Sequence, residues 1–242
     1  MRVSIVLPAY NEEKLLPASL AAVNAAREAF TALGWASEVI VCDNNSTDRT
    51  GEVARAAGAT VVFEPVNQIA RARNSGAAAA TGDWLVFVDA DSQPSRELFA
   101  DVAEVIRDGP HLAGGCTMRL DHAPWWTLFF VHGWTTVSRV AHWAAGSFIF
   151  VETDAFRAVG GFNQALYASE EIDLSQRLNR FARGCGLRPM RILTAHPLVT
   201  SGRKAHLYTP WEHLRFILKT ALSLGRSLGR RDACPIWYDG RR

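Results

Sequence analysis

The chain has 242 residues, 48% hydrophobic and 21% charged, a balance that excludes collagen-like, low-complexity and disordered classes and suits one large α/β domain or two half-domains sharing a sheet. Lys and Arg (26) exceed Asp and Glu (24) by only two, so the broad basic field of a nucleic-acid-binding protein is absent and no nucleic-acid partner is expected. Cys42, Cys116, Cys185 and Cys234 lie far apart without a CxxC pair, which argues against a disulfide scaffold or structural zinc site and for reduced thiols.

In chain order, Val3–Leu7 is a short β-branched run ended by Pro8 and reads as a buried strand. Residues 12–33 carry Leu15, Leu16, Leu20, Val23, Ala26, Phe30 and Leu33 at helical spacing, with Gly34 as the stop. A second strand over 38–42 is closed by the polar turn 43–48, and a helix over 48–57 ends at Gly58. Residues 60–63 form a third strand, 70–80 an alanine-rich helix, and 84–88 a fourth strand that runs straight into Asp89-Ala90-Asp91. Alternation at this pace predicts a mainly parallel, Rossmann-like sheet with helices on both faces. Ligands of such sheets sit beyond the carboxyl ends of the strands, and three polar clusters fall there: residues 8–12, 43–48 and 89–91.

Neither GxGxxG nor a Walker A loop follows the first strand, so phosphates bound here need positive charge from another source. Asp89 and Asp91 share a face of an extended segment and can both reach one hard divalent cation, Mn²⁺ or Mg²⁺, which keeps positions open for substrate phosphates. The competing role for Asp91 is to cap the helix that follows.

Five stretches together resemble a family 2 glycosyltransferase of the GT-A fold: residues 3–12 (VSIVLPAYNE), 39–50 (VIVCDNNSTDRT), 72–76 (ARNSG), 82–91 (GDWLVFVDAD) and 160–163 (GGFN). They stand in the family's order across most of residues 1–185. The resemblance implies a nucleotide-diphosphate-sugar donor, a divalent metal and inversion at the anomeric carbon. By position, Pro8, Tyr10 and Glu12 border the nucleoside, and Asp43, with Asn45 beside it, meets the base. Arg73, or Arg71 facing the same way, approaches the base or the phosphates. Asp89 lies near the ribose and metal, and Asp91 coordinates the metal.

The resemblance also implies a carboxylate base before the helix that starts near Leu174. Where the family typically has Glu-Asp-x-Asp-Leu, this chain has Glu170-Glu171-Ile172-Asp173-Leu174, so the base falls on Glu171, one methylene longer than the family's Asp. Glu170 and Asp173 are expected to support it or bind the acceptor. The competing reading is that three acids at a helix start simply favour its dipole. Residues 200–208 resemble a segment that closes over the diphosphate, with Arg203 as a donor-binding cation and His206, or His196, completing the metal shell.

These readings divide the chain into a donor half (1–100), an acceptor and catalytic half (101–210) and a C-terminal amphipathic tail (211–242). Of eight tryptophans only Trp35 and Trp84 fall in the donor half. Trp125, Phe129, His132, Thr136, Arg139 and Trp143 can share one helical stripe, which is either core or an aromatic surface for a sugar or a membrane interface. Trp143 is the aromatic acceptor-site candidate. The tail from Trp211 to Leu228 sets Arg215, Lys219 and Arg226 among Phe216, Ile217, Leu218, Leu222 and Leu224, so it either rests on an anionic bilayer or packs on its own domain. Met1–Pro8 is too short for a signal peptide and no 18-residue apolar run occurs, so a cytoplasmic protein is expected, peripheral at the inner face of the membrane if the acceptor is lipid-linked. The competing functions are a nucleotidyltransferase and a non-catalytic sugar-nucleotide binder.

Overall fold

Along the first strand Val3, Ile5 and Leu7 point to one face and Val6 to the other, and all four are fully buried. A strand apolar on both faces needs cover on both, and the fold supplies it. The computed structural model describes residues 1–223 and 225–238, without the side chains of Lys204, His213, Leu214, Ile217, Ala221 and Trp237.

The elements are β1 (Arg2–Ala9), α1 (Leu16–Ala26), α2 (Glu28–Thr31), β2 (Ala36–Asp43), α3 (Thr50–Ala56), β3 (Thr60–Phe63), α4 (Ile69–Ala78), β4 (Trp84–Val88), β5 (Ser92–Gln93) and α5 (Arg96–Asp108). They continue with β6 (Ala113–Asp121), α6 (Thr127–Ala141), β7 (Phe148–Glu152), α7 (Thr153–Ala158), α8 (Glu170–Gly184), β8 (Arg191–Ser201), α9 (Arg203–Leu207), α10 (Pro210–Leu222) and, after two 3₁₀ turns, α11 (Pro235–Tyr238). The sheet runs β3-β2-β1-β4-β7-β6-β8-β5. Its first four strands are parallel, β7 is antiparallel to both neighbours, β6 and β8 are again parallel, and β5 is antiparallel to β8. A mainly parallel sheet is thus observed, with a reversal at β7.

Helices α1, α2, α3 and α5 bury Leu16, Phe30, Ala54 and Phe99 on one face of the sheet. On the other, α4, α7 and α8 bury Ala77, Phe156 and Leu178. Gly76 of α4 lies so close to β1 that a Cβ there would overlap Val6 Cγ1, so only glycine allows this approach.

Three local expectations change. The helix expected over 12–33 starts at Leu16 with Pro17 in its first turn, and breaks at Arg27 into α1 and α2; proline fits the first turn because the N–H it lacks has no helical acceptor there. The helix expected from residue 48 starts at Thr50, because the Asp48 carboxylate is used in the preceding turn, accepting from Thr50 N (2.9 Å) and Thr50 Oγ1 (2.5 Å). The aromatic stripe stops at His142, whose left-handed φ of 54° ends α6 before Trp143. In the tail, Leu224, the side chain of Ile217 and residues 239–242 lie outside the described residues.

Candidate active site

In-register pairing of Ala9 with Asp43, and of Val6 with Phe87, brings the carboxyl ends of β1, β2 and β4 to one edge of the sheet. The loops after β1 and β2 are tied together there. Asn11 N–H donates to Ser46 Oγ (3.0 Å), and Thr47 N–H donates to Asn11 Oδ1 (2.7 Å). Asn11 and Asn45 both take left-handed φ values (52° and 63°), which asparagine tolerates better than most side chains. Pro8 and Tyr10 are half-buried at the mouth of this edge, Asn45 is exposed, and Asp43 Oδ1 accepts from Ser46 N–H (2.9 Å). Glu12 is buried and bridges to Arg203 of α9 by two contacts of 2.7 and 3.2 Å. The same Arg203 lies 3.9 Å from Asp91, so α9 is drawn over the edge by the loops it faces. Burial opposes the Arg203 charge, but Glu12 outweighs it and raises the guanidinium pKa further.

Beside this edge is a cleft of about 340 Å³ lined by Arg73, Asp89, Asp91, Glu170 and Glu171, with Trp126 and Phe130 on its outer wall. Arg73, on the inner face of α4, is only 3% exposed. It donates from Nη2 to Asp89 Oδ1 (2.9 Å) and the Gly146 carbonyl (2.7 Å), and from Nη1 to Glu170 Oε1 (2.8 Å). Its guanidinium lies 5.1 Å from the Phe162 ring centroid. A Cβ at Gly146 would come within 3.3 Å of Arg73 Nη2 and 3.6 Å of Glu171 Cδ, so glycine makes room for the cation. Burial works against this charge, but Asp89, Glu170 and Glu171 together hold it firmly protonated. Asn74 exchanges two hydrogen bonds with Phe162 (2.8 and 2.9 Å), which ties the ARNSG segment to GGFN.

Arg71 does not face the same way as Arg73. Residues two apart on a helix point to nearly opposite sides, and Arg71 Nε turns to Gln68 Oε1 (3.2 Å).

At the start of α8, Ser169 is held at a left-handed φ of 62°, a strained conformation for serine that sets the direction in which Glu170 and Glu171 leave the turn. Glu170 is 4% exposed and neutralised by Arg73. Burial first, and the Glu170 charge second, push the Glu171 carboxyl up to about 8 in spite of Arg73. Of three acids at one helix start, only these two enter the cleft. Asp173 is instead paired with Arg177 (2.6 Å), whose other donors hold the Val159 and Gly161 carbonyls, so it clamps the glycine turn and does not line the cleft.

Other expectations need correction. Asp91 is not the cap of α5; Ser95 is, accepting from Leu98 N–H (3.1 Å). His206 is exposed, its Nε2 is engaged with the His122 carbonyl, and it does not line the cleft. His196 faces away from the cleft, with Nδ1 on Asp101 of α5 (2.9 Å). Trp143, beyond the end of α6, does not line the cleft. Lining residues that no motif singled out include Trp126, Phe130, Gly146 and Ser147. Gly146 and Ser147 reach Asp89 because β7 runs antiparallel to β4: Asp89 N–H donates to the Ser147 carbonyl (3.2 Å). The Ser147 hydroxyl is buried and meets no hydrogen-bond partner among the described residues.

Asp89 and Asp91 give hard oxygen donors at the cleft, and the Arg73 hydrogen bond uses Oδ1 of Asp89. Among the described residues no group of three or more His, Cys, Asp or Glu side chains forms a closed cage. Two carboxylates without a cage fit Mg²⁺ or Mn²⁺, which complete their shells with water and phosphate oxygens.

Residues 4–140, more than half of the chain, match Glycosyl transferase family 2. The chain belongs to this family. An uncharacterized glycosyltransferase of Mycobacterium tuberculosis is 40% identical over 113 residues, covering 46% of this chain and 47% of the relative. A dolichol-phosphate mannosyltransferase of Pyrococcus furiosus is 28% identical over 153 residues, covering 58% of this chain and 41% of the relative. The aligned region thus spans about half or less of each relative. Among solved structures, a mannosyltransferase of Pyrobaculum calidifontis in complex with GDP-Man and Mn²⁺ superposes with a TM-score of 0.67 at 19% identity, covering 98% of this chain and 67% of that one. Staphylococcus aureus TarS gives 0.64 at 19% identity, covering 85% and 62%. The family 2 chain therefore has the GT-A fold, with a mainly parallel sheet between helical layers.

Proposed function

We propose that this family 2 chain is a metal-dependent, inverting glycosyltransferase that moves a sugar from a nucleotide-diphosphate-sugar, with UDP-sugars favoured over GDP-sugars, to an acceptor hydroxyl. The observation that carries the reading is the Arg73 bridge, which joins Asp89, the donor-side carboxylate, to Glu170 beside Glu171 in one cleft. Residues 1–100 form the donor half and residues 101–210 supply the acceptor wall and the base. Pro8, Tyr10, Glu12, Asp43 and Asn45 border the nucleoside, and Arg203 faces the diphosphate once it exchanges Glu12 for phosphate oxygens. Asp89 and Asp91 would hold Mn²⁺ or Mg²⁺, which would supply counter-charge to the leaving diphosphate. In support, the GT-A neighbours include the mannosyltransferase with GDP-Man and Mn²⁺ and a glucosyl-3-phosphoglycerate synthase of M. tuberculosis with Mn²⁺ and UDP.

Glu171 takes the proton from the acceptor hydroxyl as that oxygen bonds to the anomeric carbon and the carbon–oxygen bond to the diphosphate breaks. A carboxyl with its pKa raised to about 8 is a stronger base, once ionised, than an ordinary glutamate. Trp126, Phe130 and α9 keep bulk water from the donor.

Thermal-shift titration of the full chain with UDP- and GDP-sugars, with and without Mn²⁺, tests the donor and metal together. The expected result is a Mn²⁺-dependent shift with one nucleotide class, lost in Asp91→Ala. In Glu171→Gln the shift persists while donor turnover falls about 10²–10⁴-fold. The reading fails if no sugar nucleotide shifts the protein and Asp91→Ala changes nothing.

A further inference from the structure

Helix α6 is built inside out. Its buried positions are Thr127 and Ser138, whose hydroxyls donate to the carbonyls of Pro124 and Trp143 (both 2.6 Å). Its outer face is apolar: Phe129 is 73% and Val140 78% exposed, and Trp125, just before the helix, is 75% exposed and packs edge-on against Phe129. An ordinary surface helix places these residues in the opposite way. The core alternative for this stripe is therefore overturned.

No acidic residue occurs between His122 and Val151, and Arg139 is the one formal charge there. A second element also exposes apolar side chains beside cations, with Glu212 as its one acid. On α10, Trp211 (70%) and Leu222 (86%) are exposed beside the exposed Arg215 and Lys219. The outer face of α6 also continues into the cleft: Trp126 and Phe130, on the same turns as Trp125 and Phe129, form the cleft wall that Ala205 of α9 completes, and α10 starts five residues later.

We infer that the outer face of α6, together with the exposed basic and apolar side chains of α10, is a docking surface for an anionic lipid bilayer, on which the cleft opens. The chemistry is that of interfacial helices: tryptophan and phenylalanine enter the headgroup boundary while interleaved Arg and Lys meet lipid phosphates. Charge complementarity favours a bilayer over a second copy, since two α6 faces brought together would set Arg139 against Arg139 with no acid between His122 and Val151 to pair them. No described helix is long and apolar enough to cross a membrane, so the contact is in the plane of the interface. The inference deepens the transferase reading and rests on it for what the surface delivers, an acceptor anchored in the bilayer.

Vesicle flotation of the full chain tests it, comparing phosphatidylcholine vesicles with vesicles also containing phosphatidylglycerol. Wild-type protein is expected to float with the anionic vesicles, less so as salt rises, with a blue shift of tryptophan emission. W125S/F129S and R215E/K219E should each bind the anionic vesicles at least about tenfold more weakly, with unchanged far-ultraviolet circular dichroism. Both keep the nucleotide-sugar thermal shift, because neither pair lies in the cleft, so this test can fail while the transferase reading stands. Flotation of both variants like the wild type overturns the inference. So does a wild-type dimer in light scattering that W125S/F129S dissolves and that anionic vesicles leave intact.

Discussion

The Glu171 carboxyl is pushed up because burial and Glu170 act in the same direction and Arg73 only partly offsets them. Its folded pKa of about 8 lies above the ordinary 4.5, so between those values the folded chain keeps a proton that the unfolded chain releases. This group therefore lowers stability progressively as pH rises from 4.5 to 8, and contributes no penalty below that window. Urea titrations of Glu171→Gln should match wild type near pH 4 and exceed it at pH 8.5, by on the order of a few kcal/mol at about 1.4 kcal/mol per unit. In turnover assays the free-enzyme base appears in kcat/KM, which is expected to drop about tenfold per pH unit below 8. Arg73 tests the other side of the same network. Arg73→Met leaves Glu170 buried without its cation and should cost about 3–5 kcal/mol in urea unfolding, part of which Glu170→Gln restores in the double variant. Neither value could be read from residue order alone: GGFN and ARNSG are visible as strings, whereas the meeting of Arg73 with Phe162 and Glu170 depends on where α4 and α8 pack.

Packing of α4 against β1 decides which elements reach the cleft, and Gly76 sets that distance. Gly76→Ala places a methyl against Val6 Cγ1, a branched side chain in a fully buried strand with little room to yield. A loss of about 1–3 kcal/mol is expected in chemical denaturation. Val6→Ala added to Gly76→Ala should recover part of it, although Val6→Ala alone destabilises by leaving a cavity. At this scale the periodic elements were legible and their ends were not. The alternating apolar strands β1 to β4 and the helices between them follow from periodicity of 2 and 3.6. The starts of α1 and α3 followed Pro17 and the Asp48 carboxylate, and α6 ended at a left-handed histidine, all decided by local hydrogen bonding that apolar spacing does not report.

Across the whole molecule, stability is uneven. Strands β1 and β4 are covered on both faces and hold fully buried Val3, Ile5, Val86 and Phe87, whereas α6 buries only Thr127 and Ser138. Native-state hydrogen exchange should therefore find the slowest amides in β1 and β4, exchanging only on global unfolding, and α6 amides exchanging by local opening at much lower free energy. If α6 proved as protected as β1, its outer face would have to be covered in solution, and the open surface described for it would be wrong. The position of α6, between β6 and the antiparallel β7, gives it this exposure while leaving Trp126 and Phe130 on the cleft.

By itself the sequence determined the βα alternation, the three polar clusters at the carboxyl ends of β1, β2 and β4, and the acidic pair of Asp89 and Asp91, because each is a local pattern set by side-chain period and strand direction. The order β3-β2-β1-β4-β7-β6-β8-β5, the reversal at β7 that brings Gly146 and Ser147 to Asp89, and the pairing of Arg73 with Glu170 across 97 positions were decided only in the folded chain. So were the withdrawal of Asp173, His196, His206 and Trp143 from the cleft and the outward turn of the α6 aromatics. Helical spacing says which residues share a face. Which way that face points depends on what the rest of the chain places against it.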